Sequence, residues 1–305
     1  MKIWIALILA TLAVSAYAQC DCETMKWATC DGTPCACHLM TGEGTKQVLD
    51  CQKLIPKCFL MQGEMYRSRK GLSTRTIGGK PEETAFVDND GIYDPECEAD
   101  GTFKAKQCND TDTCWCVNSA GVRRTDKGDK DLKCDELVMT YWVRLELKHK
   151  PTDGKVDPAN LKAAVADAIH KRYKNFNKDL VKEVKYDPEA RLLIVDVQQP
   201  KGERKSDLTH MAYYMEKDVK VLPLLKSQEP FTPMVGGQKL EMENILVYYV
   251  DEKAPTFTMQ YLSGGIIAVI VVVVVAVVAG LLALFFAKKR QSKYNKTNQR
   301  EMDNL

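Results

Sequence analysis

A continuous apolar run near the C-terminus places the strongest constraint on what this chain can fold into. Residues 266–287 contain no charged side chain and include five consecutive valines, Val271 to Val275. As a helix this run spans about 33 Å, enough to cross the hydrocarbon core of a bilayer. A core helix of a soluble protein seldom stays apolar on every face for this length. We therefore expect a single transmembrane helix over residues 266–287.

The charges on the two sides of this run predict its orientation. Residues 288–290 are Lys-Lys-Arg, whereas residues 254–265 contain no lysine or arginine. Positive charge collects on the cytoplasmic side of membrane helices, so we expect residues 288–305 to form a cytoplasmic tail.

The N-terminus has the pattern of a signal peptide. A basic residue, Lys2, precedes an apolar stretch, and residues 16–18 are Ala-Tyr-Ala, a small-x-small cleavage site. We expect residues 1–18 to be removed. Together with the C-terminal run, this pattern predicts a type I single-pass membrane protein with its N-terminus outside the cell.

Cysteine placement divides the part of the chain that we expect outside the cell. All twelve cysteines fall between Cys20 and Cys134, and an even number in a secreted context predicts a disulfide framework. Six lie in residues 19–57, a segment too short to form a large core without such bonds. The other six lie in residues 58–134. The Cys-x-Cys pairs lack the wider spacing usual for zinc ligands, so we expect no metal or other cofactor.

Residues 135–250 contain no cysteine and have the pattern of a separate α+β domain. Apolar and polar residues alternate over residues 141–148, which predicts a strand. Asp157 followed by Pro158 predicts the start of a helix. With the later strands and a second helical stripe, the order β-α-β-β-α-β predicts a ferredoxin-like sandwich, and Gly236-Gly237 predicts an extra hairpin before the last strand. The whole ectodomain is thus expected to be a multidomain α+β structure.

Neither catalysis nor nucleic-acid binding is indicated by the sequence. The four histidines, at positions 38, 149, 170 and 210, do not form a His-Glu-x-x-His motif, and neither Gly-x-Ser-x-Gly nor a phosphate-binding glycine loop occurs. A formal net charge of +2 gives no reason to expect a nucleic-acid partner. We therefore do not expect an enzyme.

Residues 93–134 carry motifs in a specific order: Tyr-Asp-Pro-Glu-Cys, Gly-Thr-Phe, Gln-Cys and Cys-Trp-Cys-Val. This series resembles a thyroglobulin type-1 repeat. Further stretches resemble the family of the epithelial cell adhesion molecule and the trophoblast cell-surface antigen, over essentially the whole mature chain. These stretches are residues 103–108, 121–127, 146–150, 248–255 and the Ile-Ala-Val-Ile-Val run of the apolar segment.

The resemblance implies a disulfide pairing that spacing alone leaves open among about ten thousand arrangements. Transferred by cysteine order, the implied bonds are Cys20–Cys35, Cys22–Cys51, Cys30–Cys37, Cys58–Cys97, Cys108–Cys114 and Cys116–Cys134. It also implies that Trp115 lies beside the two disulfides that start from its flanking cysteines.

The same resemblance implies homophilic cell–cell adhesion and signalling at the lateral junctions of epithelia, regulated by proteolysis. It implies a side-by-side homodimer between residues 59–80 and the sheet of the cysteine-free domain, and claudins as membrane partners. Because some thyroglobulin type-1 repeats block cysteine proteases, protease inhibition is the alternative. A receptor for a soluble ligand is a third interpretation, since a fold does not fix a function.

Several individual residues are candidates for modification or contact. Basic residues in an exposed loop predicted over residues 59–96 are candidates for proteolytic cleavage: Arg67, Arg69, Lys70 and Arg75. Asn109 begins a glycosylation sequon. Ala276 and Gly280 form a small-x-x-x-small pattern for helix packing. Ser292, among basic residues of the tail, is a candidate for phosphorylation. Residues 251–265 are expected to form a flexible stalk open to cleavage.

Overall fold

The computed structural model describes residues 20–32, 35–72, 74, 93–109, 112–174, 176–204, 206–257 and 264–302. The chain divides into two compact units, Met1–Thr256 and Phe257–Leu305, and each is described by itself. The predicted signal peptide, residues 1–18, lies outside the described residues.

The N-terminal segment forms a small sheet held on a helix. Strands β1 (Thr29–Asp31), β2 (Ala36–Gly42) and β3 (Thr45–Leu49) pair in antiparallel order β1-β2-β3. Helix α1 (Lys57–Arg69) packs against β2, where a Cβ added at Gly63 would come within 2.9 Å of the Leu39 side chain. A larger residue at position 63 would therefore push helix and sheet apart.

Helix α1 differs from the exposed loop that the sequence predicted for residues 59–96. The basic and small residues of that stretch suggested a solvated loop, but Phe59, Leu60 and Met61 are buried against the neighbouring elements. Tertiary burial of this apolar turn stabilises the helix despite its weak amphipathic pattern. Residues 75–92, the remainder of the predicted loop, lie outside the described residues.

The thyroglobulin-like segment has little regular structure. Strands β4 (Lys106–Cys108) and β5 (Cys114–Cys116) form an antiparallel pair that places Gln107 opposite Trp115. The amide of Gln107 is buried and donates hydrogen bonds to the backbone carbonyls of Glu96 and Lys104. A side-chain amide thus satisfies backbone groups that a longer sheet would otherwise pair.

The cysteine-free domain contains a four-stranded antiparallel sheet, in the order β11-β6-β8-β7. These strands are β6 (Thr140–His149), β7 (Val181–Asp187), β8 (Leu192–Gln198) and β11 (Met242–Asp251). The alternation expected from the sequence sets the two faces: Val143, Leu145 and Leu147 are fully buried, while the residues between them are half-buried. A one-residue slip would reverse both faces, so this pattern specifies the register.

Two helices cover the buried face of this sheet. Helix α2 (Pro158–Arg172) begins as predicted, because the Asp157 carboxylate accepts a hydrogen bond from the Ala159 N–H at 3.0 Å. Helix α3 (Leu208–Glu216) begins after Asp207, which accepts from two N–H groups of the first turn. The order β-α-β-β-α-β and the sheet order match the predicted ferredoxin-like sandwich.

The predicted hairpin before the last strand is also present. Strands β9 (Met234–Val235) and β10 (Gln238–Lys239) flank the two glycines. Gly236 and Gly237 have φ values of 56° and 84°, so both residues of this two-residue turn adopt the left-handed conformation that glycine tolerates.

The second unit contains the apolar run. Helix α4 (Gly264–Met302) is 39 residues long, and its part Ala268–Lys288 has a mean hydropathy of 3.3 with no residue buried. In the part of the chain that the structure describes, it is the one helix long and apolar enough to cross a membrane. The helix continues beyond residue 287 into the predicted tail.

Tyr214 joins three segments of the first unit. This fully buried residue of α3 donates a hydrogen bond from its hydroxyl to the Thr24 carbonyl at 2.8 Å and accepts one from the Ile55 N–H at 3.2 Å. Burial raises the pKa of Tyr214 well above its usual value. The hydroxyl therefore remains a neutral donor and acceptor that fixes the N-terminal segment on the cysteine-free domain.

We predict that Tyr214→Phe lowers the free energy of unfolding by about 1–3 kcal/mol, because it leaves a buried N–H and a buried carbonyl without their partner. Chemical denaturation of the purified full-length chain in detergent, followed by tryptophan fluorescence, measures the change. Tyr66→Phe, which removes the same hydroxyl from a half-buried position of α1, should change stability by less than about 0.5 kcal/mol. Equal effects of the two substitutions would contradict the assignment.

Candidate interaction surfaces and membrane anchor

The disulfide framework agrees with the implied pairing at four bonds and departs from it in the N-terminal segment. The four are Cys20–Cys35, Cys58–Cys97, Cys108–Cys114 and Cys116–Cys134. The structure joins Cys37 to Cys51 and leaves Cys22 and Cys30 as thiols. The expected bonds Cys22–Cys51 and Cys30–Cys37 are therefore absent from the described residues.

The crowding of sulfur atoms in this segment explains the difference. Cys30 lies opposite Cys37 in the β1–β2 pairing, and their Sγ atoms are 3.0 Å apart. Cys37 is within reach of both Cys30 and Cys51, yet one sulfur forms only one disulfide. The Sγ atoms of Cys30, Cys35, Cys37 and Cys51 all lie within 4.8 Å of one another. Since three of these four are in disulfides, only Cys30 keeps a thiol that could bind a metal.

The Cys-Trp-Cys motif packs as the sequence predicted. Cys114 and Cys116 form separate disulfides, and Trp115 between them is 7% exposed. Its ring meets the Tyr93 ring edge-on at 5.5 Å between centroids, and the Lys127 Nζ lies 5.3 Å from its centroid. Trp115 thus forms the small core of this module, which explains why the motif needs an aromatic residue there.

A buried ionic cluster lies between α1 and α3. The Lys217 Nζ is 2.8 Å from the Glu64 Oε2, and the Tyr213 hydroxyl donates to the same oxygen at 3.0 Å. The Lys57 Nζ lies 5.1 Å and 4.7 Å from the ring centroids of Tyr213 and Tyr249. Burial lowers the pKa of Lys57 to about 8. No sequence pattern indicated this cluster, because each lysine resembles a surface residue.

On the outer face of the four-stranded sheet, several side chains are linked by an ion pair and hydrogen bonds. Arg144 forms a two-pronged ion pair with Asp196 at 2.8 Å and 2.9 Å, and the Trp142 Nε1–H donates to the same carboxylate at 3.0 Å. These hydrogen bonds, that from Arg144 first, lower the pKa of Asp196. Tyr248, which pairs with Arg144 across the strands, is 47% exposed. Aromatic groups and arginine held in fixed positions are typical of protein-binding surfaces.

The structure places the residues proposed for cleavage differently from the sequence. Arg67 and Arg69 lie in the last turn of α1, not in an extended loop. Three of the four basic residues have partners: Arg67 with the Trp27 ring at 4.5 Å, Arg69 with Asp94 at 2.6 Å, and Lys70 with Glu43. A helix must open before a protease can cut it, so these positions suit cleavage poorly. Arg75 lies outside the described residues.

The structure also differs from the prediction of a flexible stalk, at the first residues of that segment. Asp251 is the last residue of β11, and residues 252–256 are bound to the first unit by backbone hydrogen bonds from Glu252 and Thr256. A segment held in this way is not a free linker. The described part of the stalk is therefore reduced to Phe257 and residues 264–265, and residues 258–263 lie outside the described residues.

Among the remaining candidates, Asn109, Ala276 and Gly280 are exposed. Asn109 is exposed and follows β4 directly. Ala276 and Gly280 are one turn apart on α4, and a Cβ added at Gly280 would meet no atom within 4 Å. Ser292 lies in the helical continuation of α4 beyond the apolar run. The four histidines each interact with a polar partner: His38 with Asp31, His149 with Tyr186 and a carbonyl, His170 with a carbonyl, and His210 with Asp207.

The pKa of Lys57 gives a prediction for stability. Because its folded pKa of about 8 is below the ordinary 10.5, the unfolded chain binds more protons between these values, and stability rises with pH across that window. We predict that Lys57→Met reduces the gain in unfolding free energy between pH 7.5 and pH 10 by about 2 kcal/mol. Denaturation at both pH values measures it. Lys53→Met, at an exposed lysine, should leave the gain unchanged, and a full gain in Lys57→Met would contradict the burial.

Two family models match this chain. The model described as EPCAM/Trop-2, C-terminal, covers residues 140–251, which is the four-stranded sheet and its helices. The thyroglobulin type-1 repeat model covers residues 72–134. The first of these ranges contains no cysteine, and the second contains five of the twelve.

Full-length relatives extend this similarity. The chain is 43% identical to the epithelial cell adhesion molecule of Mus musculus, over 99% of this chain and 94% of the relative. It is 44% identical to the epithelial cell adhesion molecule of Bos taurus, over 97% and 93%. It is 40% identical to the tumor-associated calcium signal transducer 2 of Homo sapiens, over 98% and 93%. Because this identity extends over nearly the whole length of the chain and of its relatives, the chain belongs to the EPCAM/Trop-2 family.

Proposed function

We propose that this chain is a type I single-pass cell-surface glycoprotein that mediates homophilic cell–cell adhesion and signalling and is regulated by proteolysis. The observation that carries the proposal is the identity of 40–44% over nearly the full length to proteins named for adhesion and for signal transduction. A disulfide-bonded ectodomain followed by one apolar helix is the architecture that such a function requires.

The alternative function, inhibition of a cysteine protease by the thyroglobulin type-1 module, is not favoured. The relatives named above are called adhesion molecules and a signal transducer. The module is moreover part of a larger body, because its flanking helix α1 is packed against β2 and α3. A rigid structural role for the module fits these contacts.

The outer face of the four-stranded sheet is our candidate for self-association, with residues 59–80 of a second copy as the other side. The aromatic and ionic group of Trp142, Arg144, Asp196 and Tyr248 supports this choice, because hydrogen bonds to Asp196 already hold Trp142 and Arg144 in place before binding. A prearranged surface loses little conformational entropy on association. Leu72, within the proposed partner segment, is 48% exposed and offers an apolar contact.

We predict that Tyr248→Asp converts the dimer to a monomer or weakens it at least about tenfold, since the substitution removes an aromatic contact and would bury a carboxylate in the interface. Light scattering of the full-length chain in detergent measures the assembly, and aggregation of chain-coated beads measures adhesion. Ala163→Asp adds the same charge at an exposed position of α2 and should leave both readouts unchanged. A dimer of wild-type strength in Tyr248→Asp would exclude this face.

The membrane helix is our candidate contact with claudins, at the lateral junctions of epithelia. Ala276 and Gly280 allow another helix to approach closely, because neither side chain extends far from the backbone. We name claudins as partners because the resemblance of the chain to its family implies them. The face of Ala276 and Gly280 is the surface that we propose they contact.

Gly280→Leu should therefore reduce the recovery of a co-expressed claudin in co-precipitation by about tenfold or more, because the leucine would separate the two helices. The substitution is compatible with the isolated helix, since a Cβ at this position meets no atom within 4 Å. Val278→Leu, on the opposite side of α4, is the control and should retain full recovery. Unchanged recovery in Gly280→Leu would remove this face from the proposal.

Three modifications complete the proposal. An N-linked glycan is expected on Asn109, whose exposure leaves room for it. Arg75, which lies outside the described residues, stays a candidate for cleavage on the sequence alone; a cut there would leave the pieces joined by Cys58–Cys97. Phosphate on Ser292 would oppose the positive charge of residues 288–305 and weaken attraction of the tail to anionic lipid.

A further inference from the structure

The membrane-proximal strap, which we define as residues 251–256, runs along the thyroglobulin-like module. Its backbone is held at two points: the Glu252 N–H donates to the Met139 carbonyl at 2.9 Å, and the Thr256 N–H donates to the Arg124 carbonyl at 2.9 Å. Thr256 also pairs with Thr125 in a single parallel bridge. The strap therefore bends at Glu252 and Lys253 and is hydrogen-bonded at both ends, although most of its side chains are exposed.

Arg124 binds the strap at three further acceptors. Its Nε donates to the Asp251 carboxylate at 2.9 Å. One of its terminal nitrogens donates to the carbonyls of Lys253 and Ala254 at 2.6 Å and 2.8 Å. The rigid fork of a guanidinium suits this arrangement, and a lysine ammonium cannot reach all three acceptors at once.

The carboxylate that Arg124 binds is itself fixed from two sides. The Asp251 Oδ1 accepts from the Asn118 amide and from the Thr140 hydroxyl, both at 2.9 Å. The side chains of Arg124 and Asp251 are 10% and 9% exposed. Loss of one partner would leave the other charge buried and unpaired, which is costly, so these hydrogen bonds hold the strap at a defined position.

The position of the strap matters because it is the last part of the ectodomain before the apolar helix. A protease binds its substrate as a free extended segment, so a strand that is hydrogen-bonded to its own domain must detach first. The cost of detachment includes every bond made by Arg124.

We infer that Arg124 is a latch: it holds the strap on the thyroglobulin-like module and thereby limits cleavage of the ectodomain next to the membrane. This inference rests on the proposed regulation by proteolysis. Release of the Arg124 contacts would expose residues 252–256 while the rest of the ectodomain stays folded. While Arg124 holds the strap, the thyroglobulin-like module protects the cleavage site from proteases.

The test uses Arg124→Lys in the full-length chain, reconstituted in lipid nanodiscs and treated with a broad-specificity protease. Mass spectrometry measures the rate of cutting within residues 252–256, and hydrogen exchange of the same samples reports the Glu252 and Thr256 amides. Arg172→Lys is the matched control, because Arg172 forms a similar buried two-pronged pair with Asp218, at 2.5 Å and 3.0 Å, away from the strap. We expect about tenfold faster cutting and exchange of the strap in Arg124→Lys and wild-type rates in Arg172→Lys.

Two results would overturn the latch. One is an unchanged strap in Arg124→Lys. The other is acceleration of β6 amides to the same extent as strap amides, since Arg124 would then stabilise the whole unit. Shedding of ectodomain from cells is measured separately and should rise several-fold in Arg124→Lys. The nanodisc experiment uses an added protease and does not depend on cellular proteases. If no variant is shed from cells, the proposed regulation by proteolysis is refuted, whereas the role of Arg124 is still decided by the cutting and exchange rates.

Discussion

The burial of helix α3 on more than one side is the constraint on which the arrangement of the ectodomain depends. Every residue of Leu208–Glu216 except His210 is buried, although the helix is only nine residues long. A helix so short gains little stability from its own hydrogen bonds and depends on its contacts. One side of α3 packs on the sheet, and the other meets α1 and the N-terminal segment. The modules are therefore parts of one folded body.

Polar contacts specify this packing more closely than apolar contacts could. The Tyr214 hydroxyl and the Glu64–Lys217 pair are buried at the junction between modules, where an unmet hydrogen bond would be costly. An apolar junction could slide by a residue, whereas these groups have one geometry in which all are satisfied. The same argument applies to Arg124 and Asp251, which hold the end of the last strand on the thyroglobulin-like module.

The face proposed for self-association and the membrane-proximal strap both include residues of β11. The outer face of the sheet remains open because both helices lie on the other face, so self-association does not compete with the internal packing. β11 contributes Tyr248 to that face and ends at Asp251, where the strap begins. Tyr248 and the start of the strap therefore lie on the same strand, three residues apart in the chain.

The apolar helix, the cysteine-free sandwich and the family could all be predicted from the amino-acid sequence. Each depends on local signals: an apolar run, the two-residue alternation of Val143, Leu145 and Leu147, the Asp157-Pro158 helix start and the Gly236-Gly237 turn. Tertiary structure decided the helix at Phe59, the bonding of Cys37 to Cys51, and the fastening of Asp251 by Arg124. These features join residues far apart in the chain, and long-range proximity leaves no periodic pattern in the residues themselves.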